Sequence, residues 1–224
     1  MPELERVAAK PRNPLAALLA AYRRRCPPGA TGVPRREDLG LADLVDLLGW
    51  EFFAEWVAPD SITVRLSGTH IDYVLGASVT GVNFFDKYHP HDRALYARFY
   101  AAIADHPCGG YSVRQVIVGG DESFDYHSIY LPLARREAYV PIVGAVSVAQ
   151  FERIAARRIE GHQPDFRALV RIGLFDIGFG VPAGDLETVD IAAVIAAIEA
   201  KGGATLDREA LTARPLLGRP PSLG

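Results

Sequence analysis

The stretch from Pro141 to Val148 constrains this chain more than any other. It reads Pro-Ile-Val-Gly-Ala-Val-Ser-Val, nearly apolar at odd and even positions alike. A strand built from it has no face suited to water. It belongs in the middle of a sheet, with neighbours on both edges and a packed layer on each side. The rest of the chain must supply those neighbours and those layers.

The neighbours are legible as two hairpins. Trp50 to Val57 and Ser61 to Leu66 are rich in aromatic and β-branched residues, with Ala58-Pro59-Asp60 as the turn. Tyr111 to Val118 and Phe124 to Leu133 form a second pair around Gly119-Gly120-Asp121-Glu122, a loop whose glycines tolerate positive φ. With Pro141–Val148 this makes five strands. Helices fill the intervals. Gly68-Thr69 breaks the second strand, and the spacing predicts a short helix from His70 to Leu75, stopped at Gly76 and capped by Thr69. Asp92 to Asp105 is the clearest helix: Leu95, Phe99, Ala102 and Ile103 share a stripe, and Pro107 forbids continuation. Burying Leu95, Phe99 and Ile103 contributes on the order of 1.5–3 kcal/mol each. Pro14 opens an N-terminal helix with Leu15, Leu18, Leu19 and Tyr22 on one face, ended before Pro27. That helix, or a second subunit, is the expected cover for the sheet's other face. A further helix is read over Leu41–Leu48, and residues 1–13 and the Pro215 to Pro221 region read as frayed ends.

Beyond residue 150 the pattern weakens. Phe151–Ile159 reads as a helix, Leu169–Phe179 as a strand and Ile191–Lys201 as an apolar helix ended by Gly202-Gly203. The expected organisation is an N-terminal helix and linker over 1–40, a domain over 41–151 and a C-terminal extension over 152–224.

Charge and cysteine usage narrow the function classes. The net charge is −3 and the basic residues are scattered, apart from Arg23-Arg24-Arg25 and a few pairs. A nucleic-acid surface draws its affinity from a basic stripe that releases counterions, so no nucleic-acid partner is expected. The triple arginine suits a solvated helix end. Cys26 and Cys108 are far apart and form no CxxC pair, which argues against a disulfide scaffold or structural zinc. No apolar run reaches the roughly 18 residues of a membrane span, and Met1 to Lys10 lacks the order of a signal peptide. A cytoplasmic protein with no membrane partner is the expectation.

Local text adds a resemblance. Arg65-Leu66-Ser67-Gly68-Thr69-His70-Ile71, then Gly76 with Thr80-Gly81, then His89-Pro90 opening the long helix, then Leu131-Pro132-Leu133 before the last strand are similar to the α-proteobacterial type of PAS domain, which reads R-x-x-G-T, G-x-x-x-T-G and P-L at these places. The likeness covers roughly Gly40 to Phe151. It implies an α+β fold with a five-stranded antiparallel sheet, its last strand central, and short helices and one long helix on one face. It also implies a sensory or regulatory module, often a homodimer, with a ligand pocket between sheet and helices and a signalling protein as partner. The family is defined by its scaffold and not by a catalytic residue.

Several residues invite sharper readings. Gly68-Thr69 lacks the further glycines and lysine of a phosphate loop. Arg65 either anchors an acidic ligand or pairs with a neighbour such as Asp72. His89, His91 and nearby Asp86 suggest a metal, but the intervening proline should splay the two rings and no third strong ligand follows at a familiar spacing; no metal is expected. Between Asp92 and Asp105 there is no histidine to ligate haem, and neither cysteine has a flavin-type setting, so the sequence names no cofactor. On the fourth strand Asp125 and His127 share one face, and Phe124, Tyr126 and Tyr130 the other. One reading makes Asp125 and His127 the acid–base pair of a small NTF2-like enzyme. The other turns the aromatics inward, with Asp125 and His127 toward water. Under that second reading the pocket-lining candidates are Tyr73, Tyr96, Phe99, Tyr126 and Tyr130, an apolar wall with polar tips, joined by Arg65. A third reading makes the Ile191–Ile198 helix a docking surface for a partner.

Overall fold

A computed structural model describes residues 13–118, 123–149, 151–159 and 161–201. The expected frayed lead-in over 1–12, the Gly119–Glu122 loop and the proline-rich tail lie outside the described residues.

The two-sided apolar segment is strand β5 (Val140–Val148), buried at every position. It pairs antiparallel with β1 (Glu51–Ala58) on one edge and β4 (Ser123–Pro132) on the other. β2 (Ser61–Ser67) flanks β1, and β3 (Gly109–Val118) flanks β4, both antiparallel. The five expected strands therefore run β2-β1-β5-β4-β3 with β5 at their centre. The sheet continues past them: β6 (Pro164–Phe175) pairs antiparallel with β3, and the two-residue β7 (Glu187–Thr188) pairs parallel with β6. The seven-stranded sheet is thus a five-stranded core extended by the C-terminal part of the chain.

Each face has its own core. On what we call the pocket face lie α3 (Thr69–Leu75), the long helix α4 (Pro90–Asp105) and α5 (Phe151–Ile159), whose Ile71, Val74, Tyr96, Phe99, Tyr100, Ile103 and Ile154 pack against Phe52, Ile142, Val146 and Tyr130. On the back face, α1 (Pro14–Arg25) and α6 (Ile191–Ala200) cover Phe53, Ile129, Leu131, Val143 and Ala145. The Tyr22 hydroxyl pins α1 by donating to the Pro132 carbonyl, at 2.6 Å. The chain's own first helix is therefore a cover for the second face of β5.

Two glycines let rings reach the sheet. A methyl group at Gly144 would lie 2.0 Å from the Phe52 ring, and one at Gly110 would lie 2.4 Å from Phe99. Both positions pair with Tyr130 in the ladders. A side chain there would lift Phe52 or Phe99 away from the sheet, since side chains in a close-packed core have little room to shift.

Several local expectations change. The buried stripe of α4 is Tyr96, Phe99, Tyr100 and Ile103, with Leu95 and Ala102 only partly buried. Thr69 does not cap α3: Gly68 holds the cap position, and Thr69 is the first residue of the helix. The Leu41–Leu48 helix is short and broken: α2 spans Leu41–Leu44, and a separate helical turn follows over Val45–Leu47. β6 starts at Pro164 and stops at Phe175, because the Asp176 carboxylate accepts the Gly178 and Gly180 amides and turns the chain. In α6, Ile191 and Ile198 are buried in the back-face core, so these isoleucines serve this chain's own packing and do not form a free docking surface. The arginines at the end of α1 hold α2, with Arg24 and Arg25 both pairing with Asp43.

Candidate functional site

Strand alternation places Arg114 on β3 and Tyr126, Ser128 and Tyr130 on β4 on the same face, directly under the helices. Arg114 stands opposite Tyr126, and Ser112 opposite Ser128. Serines at the middle of this face, with Gly144 and Gly110 beside them, leave it hollow between rims of aromatic rings. Above the hollow pass α3, the Ala77–Val79 loop and the helical turn Phe84–Lys87. The cavity measures about 170 Å³ and opens to solvent on the side of the loop.

Its walls are mostly apolar: Phe52 from β1, Ile71 and Leu75 from α3, Val79 from the loop and Phe84 from the turn. Its polar groups are few and convergent, the usual make-up of a small-molecule site. Arg114 is buried at 8 % exposure, its guanidinium 5.5 Å from the centre of the Tyr88 ring. The Tyr130 and Ser112 hydroxyls are 3.2 Å apart, and those of Tyr88 and Tyr100 are 2.6 Å apart. Burial pushes the Tyr88 and Tyr126 phenols well above their ordinary range, so both stay protonated at neutral pH. Ala77, Ser78 and Lys87 form an exposed rim. A second hollow lies against α4 and the Pro182–Leu186 segment. It is more open to solvent and holds none of the candidate site residues read from the sequence.

The sequence candidates divide by position. Tyr126 and Tyr130 line the cavity. Tyr96 stands one layer behind it, its ring stacked 3.7 Å from that of Tyr88, and Phe99 packs edge-on against Tyr130. Tyr73 ties α3 to α5 by donating to the Ala155 carbonyl, at 3.0 Å. Arg65 lies elsewhere: its side chain is over half exposed on β2 and pairs with Glu55 across the hairpin at 2.6 Å, not with Asp72. Arg114, Tyr88, Phe52 and Ser128 were not foreseen. The signal for Arg114 was a charged residue at an even position in a strand whose even positions are otherwise small or apolar.

Asp125 and His127 point to the back face, opposite the cavity. His127 is half-buried there, its Nδ1 2.7 Å from the Tyr111 hydroxyl, and burial pushes its pKa down to about 4. The pair shares no cavity with the aromatic cluster, so the geometry of the NTF2-like acid–base reading is absent. His127 also does not face open water. The His89 and His91 rings lie 3.8 Å apart, closer than the intervening proline suggested. Among the described residues no group of three or more His, Cys, Asp or Glu is placed to hold a metal, and no helix is long and apolar enough to cross a membrane. Both cysteines are buried thiols, with that of Cys108 pushed up to about 12 by burial.

Residues 12–147 match the sequence profile of a family described as a PAS domain. No curated protein and no solved structure gives a match.

Proposed function

This chain belongs to the PAS domain family, and from that premise we propose that it is a sensory or regulatory module that binds a small ligand between sheet and helices and signals through protein contact. The observation that carries the ligand half is the cavity itself, hollowed over Ser128 and walled by Phe52, Phe84, Tyr126 and Tyr130. At about 170 Å³ it falls below the roughly 300–1,000 Å³ of drug-sized sites and is close to the roughly 150 Å³ that admits one benzene ring. The ligand is correspondingly small. Occupancy would stiffen the Ala77–Val79 loop and the Phe84–Lys87 turn, which form the cavity's outer wall and the surface above it. That surface is then the natural place for a change read by a second copy of the chain or by a signalling protein.

Native mass spectrometry of gently purified protein, followed by a melting-temperature screen against small metabolites, tests this reading. The expected outcome is a ligand that raises the melting temperature of the native chain but not of Ser128→Leu, whose side chain fills the hollow. Light scattering with and without that ligand then reports on self-association. A screen in which no compound discriminates the two proteins would end the ligand reading.

A further inference from the structure

The cavity's charge goes further than its shape. Among the residues that line it are two cations, Arg114 inside and Lys87 at the rim, and no carboxylate. Arg114 is held by β3 on the buried face of a rigid sheet, among aromatic rings that exclude water. In such surroundings electrostatic interactions are stronger than in water, so an anion entering the cavity gains more from this guanidinium than it would at a surface. The planar fork of an arginine matches the two oxygens of a carboxylate. The remaining walls offer rings and aliphatic groups, with the Ser128 and Tyr130 hydroxyls beside the charge.

We propose that the cavity takes a small organic monoanion, a carboxylate directed at Arg114 and carried on an apolar body the size of one ring or a short chain. This rests on the ligand-pocket reading above and names its chemistry. A doubly charged phosphate fits less well, because a single enclosed cation and a mostly apolar wall leave part of its charge unmet. Lys87 at the rim adds a weaker, solvent-screened attraction that favours entry of anions.

The test uses the whole chain and three probes in calorimetric or NMR titrations: benzoate, its near-isosteric neutral counterpart benzamide, and acetate, which has the charge without the ring. Benzoate is expected to bind about ten to a hundred times more tightly than either of the others, the range of a charge-assisted hydrogen bond. Arg114→Gln should erase the preference for benzoate over benzamide, Arg114→Lys should keep part of it, and Ser128→Leu should abolish benzoate binding. The wild-type ratio needs no variant to fold. If benzamide binds as well as benzoate, the anion inference fails and the pocket stands. Benzoate binding undiminished by Ser128→Leu places the ligand elsewhere and overturns the proposal. If none of the probes binds, both the inference and the pocket reading fall.

Discussion

His127 shows how a residue picked for chemistry can serve the fold. Its ring sits on the back face of β4 beside Tyr111, and burial drives its pKa from the usual 6.5 to about 4, with Asp125 opposing the shift and Lys201 adding to it. In the unfolded chain the imidazole recovers its ordinary value. Between pH 6.5 and 4 the unfolded state then binds the proton more readily than the native state, so falling pH favours unfolding. The contribution is complete above 6.5, declines as pH drops, and levels off below about 4. From the size of the shift it is on the order of 3 kcal/mol. Other acidic groups titrate in the same range, so the informative quantity is a difference. Urea unfolding of the native chain and of His127→Gln, measured from pH 7.5 to 4, should give stability curves that converge as pH falls. Curves that stay parallel would show that His127 is not held neutral.

At the scale of elements, what was legible followed directly from periodicity. The two-sided run Val140–Val148 demanded a central place, and the ladders to β1 and β4 provide it. The two hairpins and α4 came from alternation and from helical spacing. What was not legible depended on contacts between distant segments. The stripe of α4 read from apolar residues alone included Leu95 and left out Tyr96 and Tyr100, yet both tyrosines are fully buried: the Tyr96 ring stacks on Tyr88, and the Tyr100 ring packs at a tilt against Phe85. Likewise Tyr126 and Tyr130 were foreseen as lining groups, but the cavity's cation was not. Placing Arg114 beside Tyr126 requires the register of β3 against β4, which strand alternation alone does not set. The corrected stripe makes a comparative prediction. Ile103→Ala removes a fully buried side chain and should cost about 2–5 kcal/mol in chemical denaturation, whereas Leu95→Ala should cost distinctly less. Equal losses would restore the original stripe.

For the molecule as a whole, the question is what the residues beyond the family match contribute. A sheet edge left bare is a template for pairing with another chain. At the β2 edge, the Gly81 and Val82 backbone bonds to Val64, and the Asn83 carboxamide accepts the Ile62 amide. The opposite edge of the five-stranded core is β3; among the described residues of the family match none pairs along that edge, and β6 does, from Gly109 to Val118. The same C-terminal segment brings Phe175, Val189, Ile191 and Ile198 into the back-face core alongside Tyr111 and Leu15. Residues 151–201 therefore close both an edge and part of a face. A chain ending at Ala149 would expose the β3 backbone together with the apolar surface around Tyr111 and Val113. We expect it to self-associate in light scattering and to unfold at lower urea concentration than the full chain. Breaking the β3 edge with a proline at Val113 should worsen the unfolding, because Val113 also pairs with His127 on β4. A truncated chain that stays monomeric and unfolds cooperatively at the wild-type midpoint would mean that β6 and α6 are an appendage and not part of the sheet's closure.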